Sequence, residues 1–376
     1  MSKKVLITGG AGFIGSALTL KLIDYGYSIV VLDNLSEQIH TKNYENSYTY
    51  RLISEKVEFF HGDVRNIEDW KKVIKDVEIV VHLAAETGTG QSMYQAQNYT
   101  KVNCEGTAIL CDMITNGNHS IKKVILASSR SIYGEGKYKS KDGKVFFPSF
   151  RDENNLKNKE FDFYFENQKL EAVATDESAL IKPASIYALT KYFQEEMLQI
   201  TCKSQNISFI GLRFQNVYGP GQSLTNPYTG IISIFSNRLK ENKEIFIFED
   251  GNESRDFVYI EDVCQAVVKS IQCNILNQIV FNVGSGVSTS VIDLANILKK
   301  LMNSSSDLKI TGQYRLGDIR HNFADLTNIN RNIGFSPKVT ILDGLSKFVE
   351  WSINQGVKED LYENSLFELK QKGLLK

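Results

Sequence analysis

Cysteine is scarce in this chain: five residues in 376, at Cys104, Cys111, Cys202, Cys264 and Cys273. They are odd in number and form no C-x-x-C pair, which argues against a disulfide framework or a zinc site and for reduced thiols in a cytoplasm. Each reads as a small buried apolar side chain, and no metal is expected. Charge of either sign is also missing in excess. With 43 Lys and Arg against 44 Asp and Glu, the formal net charge is -1. No basic face is therefore expected for nucleic acid or anionic lipid, and a small molecule is the expected partner. No apolar stretch approaches membrane-spanning length, and the N-terminus runs straight into a strand, so a cytoplasmic rather than a membrane or secreted protein is expected. Internal repeats and low-complexity tracts are absent.

What is present begins at Thr8, where the chain reads T-G-G-A-G-F-I-G. Val5-Leu6-Ile7 before it is a short apolar run suited to a buried parallel strand, and Phe13 to Leu22 after it carries apolar residues at helical spacing. Gly9, Gly12 and Gly15 thus fall in a strand-to-helix turn. There they permit a tight bend, let backbone approach a pyrophosphate, and let the helix pack on the sheet with its N-terminus toward negative charge. About 20 residues on, Ile29-Val30-Val31-Leu32 ends in Asp33, the acidic position that bonds the two hydroxyls of an adenosine ribose and repels a 2'-phosphate. The expected cofactor is NAD rather than NADP.

Five more apolar runs follow, at Val57 to Phe60, Ile79 to Leu83, Val124 to Ala127, Ile207 to Leu212 and Ile279 to Phe281. Seven strands alternating with helices predict a doubly wound parallel α/β sheet of Rossmann type, whose ligands collect at the carboxyl ends of the strands. Small and polar residues stand at those ends, among them Asn34, Asp63, Ala84-Ala85, Ser128-Ser129 and Gln215-Asn216. The predicted division is a dinucleotide domain over 1–216, to which 257–283 returns, and a smaller C-terminal substrate lobe over 217–256 and 284–376. Lys137 to Lys182, rich in Lys, Asp, Glu and Asn with an aromatic cluster at Phe161 to Phe165, reads as an inserted, partly ordered surface element.

Tyr187 and Lys191, at i and i+4 of a helical segment, share one face. An ammonium there, with a positive nicotinamide, favours the phenolate and suits Tyr187 to take a proton from a sugar hydroxyl while hydride leaves the same carbon. Ser129 could hold that hydroxyl in line.

Together Gly9 to Gly15, Asp33, Gly62-Asp63, Ser128 to Gly134 and the Tyr187/Lys191 pair resemble the extended short-chain dehydrogenase/reductases that act on nucleotide sugars. Within them the nearest likeness is to the dTDP-L-rhamnose and UDP-sugar 4-epimerases, through L-D-N-L-S-E-Q-I-H, S-S-R-S-I-Y-G-E-G, N-V-Y-G-P-G-Q-S-L-T-N-P-Y-T-G and G-D-I-R-H-N-F-A-D. Only Lys137 to Lys182 stands clearly outside it. The resemblance implies catalytic roles for Ser129, Tyr187 and Lys191. It implies cofactor contacts from Gly9, Gly12, Phe13, Ile14, Gly15, Asp33, Asn34, Asp63, Val64, Leu83, Ala84 and Ala85, together with Tyr187 and Lys191. Ser129, Asn216, Asn226, Arg255, Arg315 and Asp318 would hold the sugar nucleotide, the arginines by bidentate grip on phosphate oxygens.

The implied activity is a nucleotide-sugar 4-epimerase on a UDP- or dTDP-hexose, in a homodimer joined through helices near Asn98 to Ile114 and around Tyr187. Two departures matter. Gln215 stands where the family usually has Phe, and Asn322 stands where galactose epimerases often carry Tyr. Where 4,6-dehydratases place an Asp-Glu pair after the catalytic Thr, this chain has Arg130 and Ser131, which argues against elimination. The alternatives are an NAD(H)-dependent 4-keto-sugar reductase or dehydrogenase on the same fold and, from another class, a non-catalytic NAD-sensing protein, which has no need of Ser129, Tyr187 and Lys191 together.

Overall fold

The computed structural model describes residues 3–228, 230–356 and 361–376. At its centre lie β1 (Lys4–Thr8), β2 (Ser28–Asp33), β3 (Glu58–His61), β4 (Ile79–His82), β5 (Lys123–Ser129), β6 (Ser208–Phe214) and β7 (Gln278–Val283). They form one sheet in the order β7-β6-β5-β4-β1-β2-β3, with every pairing parallel. These are the seven runs expected from the sequence. Strand order reverses where β1 lies between β2 and β4, the switch point at which a doubly wound sheet opens a crevice beyond its carboxyl ends.

The main helices are α1 (Phe13–Asp24), α2 (Ile67–Val73), α3 (Gly106–Asn116), α4 (Ile186–Ser204), α5 (Ile231–Lys240), α6 (Ile260–Gln272), α7 (Val291–Leu301), α8 (Ile341–Ile353) and α9 (Tyr362–Gln371). Successive strand side chains point to opposite faces, so each strand feeds two cores. Val5, Ile7, Ile29 and Val31 pack with Leu18 and Leu22 of α1 and Val263 and Val267 of α6. Leu6, Val30, Leu32 and Val80 pack on the other face with Trp70 of α2, Leu110 of α3 and Leu198 of α4. Covering both faces with helices is what lets the strands be apolar throughout.

A smaller sheet stands at the carboxyl end of this layer. Ser254–Tyr259 runs parallel to Asn216–Tyr218 and to His321–Asn322, and antiparallel to Ser288–Ser290. Residues 137–182 contribute a three-stranded antiparallel sheet from Lys137–Lys139, Val145–Phe146 and Glu171–Val173. Expected on the surface, this segment also buries charged side chains. Arg151 pairs with Glu249 at 2.7 Å and Glu135 at 3.3 Å, and Asp162 accepts from Arg320 Nε at 2.9 Å. Among the described residues no helix is long and apolar enough to cross a membrane.

Candidate active site

A cavity of about 710 Å³ opens beyond the ends of β1, β2, β4, β5 and β6, and the glycine turn forms its floor. Gly9 has φ +70°, and a Cβ there would stand 2.8 Å from the Ala84 amide. At Gly15 a Cβ would meet the Gly9 carbonyl at 2.2 Å. Both positions therefore need glycine so that the turn can lie against the Leu83-Ala84 backbone and α1 can lie against the turn. Gly12 differs, because its Cβ would touch only the Gly9 carbonyl, at 3.2 Å. It is the N-cap of α1 and supplies no side-chain cap, so the first amides of the helix remain for a ligand beside Phe13, Ile14 and Gly15 on the cavity wall. An open cradle at a helix N-terminus fits the pyrophosphate of a dinucleotide.

Asp33 borders the same cavity. One carboxylate oxygen accepts from the Ala11 amide at 2.9 Å and the other from the Leu35 amide at 2.8 Å, which ties the end of β2 to the glycine turn. Carboxylate oxygens accept more than one bond, so both retain capacity for a ribose hydroxyl. Burial raises the Asp33 pKa, opposed by the Leu35 amide and by His40.

Behind the turn lies a polar network that no sequence motif announced. The Thr8 hydroxyl lies 2.8 Å from His82 Nδ1, and His82 Nε2 lies 3.1 Å from the Thr107 hydroxyl, which also accepts from Gln194. Complete burial pushes the His82 pKa down to about 3, so the ring is neutral. Its two bonds account for both ring nitrogens, and the Ala84 amide donates to Thr8 at 3.3 Å. The network thus fixes the Leu83-Ala84 loop that faces the cavity.

The reactive end is built from β5 and α4. Ser185 caps α4 by accepting from the Ala188 amide at 3.2 Å, and the helix then presents Tyr187 and Lys191 to the cavity together with Ser129. The two serines of β5 separate as strand neighbours must. Both border the cavity, but the Ser128 hydroxyl is committed to Glu195, to which it donates at 2.7 Å inside a buried pair of Glu195 with Arg213, whereas Ser129 accepts from the Ser131 hydroxyl at 2.9 Å. Lys191 donates to the Ala127 carbonyl at 2.9 Å. Burial pushes its pKa down to about 7. Burial also raises the Tyr187 pKa, and the groups pulling it back are Ser129 and Arg130. A phenol that shares a cavity with a serine hydroxyl and a guanidinium is equipped for proton transfer to and from a bound alcohol.

Asn34, Val64, Leu83, Ala84, Ala85 and Asn216 also line this cavity. Gln215 lines it with both amide atoms buried and without a partner among the described residues. The remaining sequence-predicted residues stand elsewhere. Asp63 pairs with Arg65 at 2.6 Å, and Asn34 donates to it at 3.1 Å; against the effect of burial, the bonds from Arg65 lower its pKa to about 2. Asn226 caps its own turn by accepting from the Tyr228 amide at 3.0 Å. Arg255 and Arg315 each donate to Asp318 at 2.9 Å, and Arg315 and Asp318 border a second cavity of about 280 Å³, walled by Pro148, Phe150 and Pro183. Asn322 is buried with its amide unpartnered among the described residues.

The model of the NAD dependent epimerase/dehydratase family matches residues 5–151 and 164–284. A dTDP-L-rhamnose 4-epimerase of Burkholderia thailandensis is 38% identical over 351 residues, covering 93% of this chain and 94% of its own length. The structure of a UDP-glucose 4-epimerase from Thermotoga maritima with UDP-glucose superposes with a TM-score of 0.75 at 28% identity, covering 94% of this chain and 99% of its own. MoeE5 in complex with UDP-glucose and NAD gives 0.73 at 25% identity, with the same coverage of both chains.

Proposed function

The chain belongs to the NAD dependent epimerase/dehydratase family, and from that premise we propose that it is a nucleotide-sugar 4-epimerase, acting on a UDP- or dTDP-hexose by transient oxidation at C4. The observation that carries this reading is the cavity itself, which joins the uncapped N-terminus of α1, Asp33, Ser129 and Tyr187. A cofactor cradle and a proton-transfer group open on one space. Bound NAD supplies a reversible hydride acceptor there.

The roles of the residues follow from their places. Gly9, Gly12, Phe13, Ile14 and Gly15 would seat the pyrophosphate, Asp33 and Asn34 the adenosine ribose, Asp63 and Val64 the adenine, and Leu83, Ala84 and Ala85 the opposite wall. Ser129 would hold the C4 hydroxyl and Tyr187 would take its proton and later return it, while Lys191 anchors α4 to β5. Asn216, Asn226, Arg255, Arg315 and Asp318 would hold the diphosphate and ribose. Substrate phosphate would then replace Asp318 as the partner of one or both arginines. Strong grip remote from the reacting carbon leaves the hexose able to turn over between the two hydride steps. A homodimer agrees with the outer face of α4, where Leu189, Phe193 and Ile200 are exposed.

Arg130 and Ser131 occupy the places where an eliminating enzyme needs an acid and a base, which disfavours a dehydratase. The test is to incubate the purified protein with UDP- and dTDP-hexoses and follow the C4 configuration by NMR. Interconversion of C4 epimers with no added reductant is the expected result, and conversion only with stoichiometric NADH would replace this reading with a keto-sugar reductase.

A further inference from the structure

Two wall segments of the main cavity meet away from the sheet. Thr87, Gly88 and Thr89, beyond β4, supply one, and Gly221 to Thr225 with Tyr228, ahead of α5, supply the other. They touch at Gly88. Its φ is +117°, and a Cβ there would stand 3.4 Å from the Tyr228 carbonyl and 3.2 Å from the Tyr99 hydroxyl. That hydroxyl donates to the Thr87 carbonyl at 2.7 Å, and the Tyr99 ring packs edge-on against Tyr187 with centroids 6.4 Å apart. The junction of the walls is therefore one residue removed from the proposed proton-transfer group.

One carboxylate of α9 joins these segments from behind. Glu368 Oε2 accepts from the Tyr94 hydroxyl at 3.0 Å and from the Tyr228 hydroxyl at 2.5 Å. Tyr94 follows closely on Thr89 in the first segment, and Tyr228 belongs to the second. Tyr94 and Glu368 stand outside the set of residues that border the cavity. The carboxylate is itself held in place. Leu369 lies against Gly90, where a Cβ would be 3.6 Å from its Cδ2, and Glu363 accepts from Arg238 of α5 at 3.2 Å. Beyond the helix, Lys376 and Tyr314 exchange backbone bonds at 2.9 and 3.0 Å, next to Arg315. Loops around a ligand site ordinarily come from the least stable part of a fold. Here two of them are tied to each other by a helix anchored at both ends.

We infer that Glu368 is a positioning residue that clasps the two walls together beside the reactive end, so that the oxidised sugar stays in the cavity while it turns over. The inference rests on the 4-epimerase reading above, and Glu368 acts through Tyr94 and Tyr228 rather than on the sugar. In the first half of the reaction the C4–H bond breaks with its electron pair passing to NAD, and the C4 hydroxyl proton passes to Tyr187. The ketone must then stay until both return. A ketone that escapes carries away a two-electron oxidation and leaves one NADH on the protein. Closed walls prevent such side reactions.

Three variants of the NAD-loaded protein test it. Glu368→Met keeps the side chain's length and removes the acceptor, Glu368→Gln keeps an oxygen that can accept both hydroxyls, and Tyr94→Phe removes one arm from outside the cavity. With a UDP- or dTDP-hexose, Glu368→Met and Tyr94→Phe are expected to release 4-keto sugar about 10-fold or more faster per turnover than the native protein, with protein-bound NADH fluorescence growing in step. KM should rise while the initial kcat stays within about three-fold. Glu368→Gln should behave as native, and the double variant should lose little more than Glu368→Met alone. Native KM and native retention of the keto sugar in both Glu368→Met and Tyr94→Phe overturn the inference. An equal fall of kcat and NAD affinity in both also overturns it, because Glu368 would then serve the fold alone. Hydrogen exchange without sugar reads the closure separately. Amides of 87–94 and 221–228 should exchange about 10-fold faster in Glu368→Met and at the native rate in Glu368→Gln, and unchanged exchange in Glu368→Met overturns the inference. Failure of the native protein to epimerise any UDP- or dTDP-hexose counts instead against the proposed function and leaves the exchange result readable.

Discussion

The Lys191 ammonium lies 2.9 Å from the Ala127 carbonyl, which joins the helix carrying Tyr187 to the strand carrying Ser129. Ala127 is two residues before Ser129, and Lys191 is one helical turn after Tyr187. With the buried bond from Ser128 to Glu195 between the same two elements, this contact helps set the distance between the group that would orient a hydroxyl and the group that would deprotonate it. Sub-ångström placement of reacting groups is where much of an enzyme's acceleration originates.

Tyr187→Phe removes the proton-transfer group while leaving the ring that packs edge-on against Tyr99. Turnover should fall by about 10² or more with NAD affinity nearly unchanged. Steady-state kinetics and NAD titration of the variant check this, and near-native turnover would remove Tyr187 from the mechanism.

Asp33→Ala deletes the carboxylate that meets the Ala11 and Leu35 amides and would meet the ribose. NAD affinity should drop by about 10-fold or more, as expected for hydrogen bonds to a charged group. Discrimination against NADP should shrink too, since the repulsion of a 2'-phosphate leaves with the same atoms. Parallel titrations with the two cofactors decide it, and an unaltered preference would mean that Asp33 only shapes the turn.

The neutral His82 gives the fold a pH dependence with a defined sign. Its folded pKa, about 3, is below the ordinary 6.5, so the unfolded chain binds the proton first. The stability that depends on a neutral ring is complete above about pH 6.5 and is lost as pH falls toward 3. Between pH 7 and 5 this amounts to about 2 kcal/mol. Thermal midpoints of the native protein and His82→Gln across that range should show a shallower slope in the variant. Equal slopes would assign the acid sensitivity elsewhere.

Arg151 of the inserted segment is nearly buried between Glu135 and Glu249. Arg151→Ala would leave the buried Glu135 without its cation while Glu249 keeps Arg320 at 3.1 Å, a change that costs about 3 kcal/mol. Calorimetry measures the loss directly. A variant as stable as the native protein would show that the segment's ion pairs are incidental to the fold.

The parts of this molecule legible in its sequence are those whose signal is local. The seven strands announce themselves as apolar runs because both faces of the sheet are covered, and the glycine turn is readable because its glycines stand close together between a strand and a helix; the clash that requires Gly15 is local, with Gly9, whereas the one that requires Gly9 comes from Ala84 beyond β4. Ser129 and Ser128 looked alike in sequence. Both border the cavity, and only the tertiary partners distinguish them, since the Ser128 hydroxyl is committed to Glu195, itself held by Arg213. Thr8, His82 and Thr107 share no motif, since their network is assembled from β1, β4 and α3 by the sheet order. The pairing of Arg151 with Glu249, and the engagement of Arg255 and Arg315 with a common Asp318, likewise depend on which loops the tertiary fold brings together.

The central claim is that hydrogen leaves C4 as hydride, remains within the site and returns to the same carbon. The direct measurement supplies a UDP- or dTDP-hexose deuterated at C4 to the NAD-loaded protein, with a parallel conversion of unlabelled substrate in heavy water. The account predicts that the epimer keeps its deuterium, gains no solvent label at C4 and forms with no net change in the oxidation state of the cofactor pool. Deuterium lost from C4, solvent label gained there, or NADH consumed in proportion to product would contradict it.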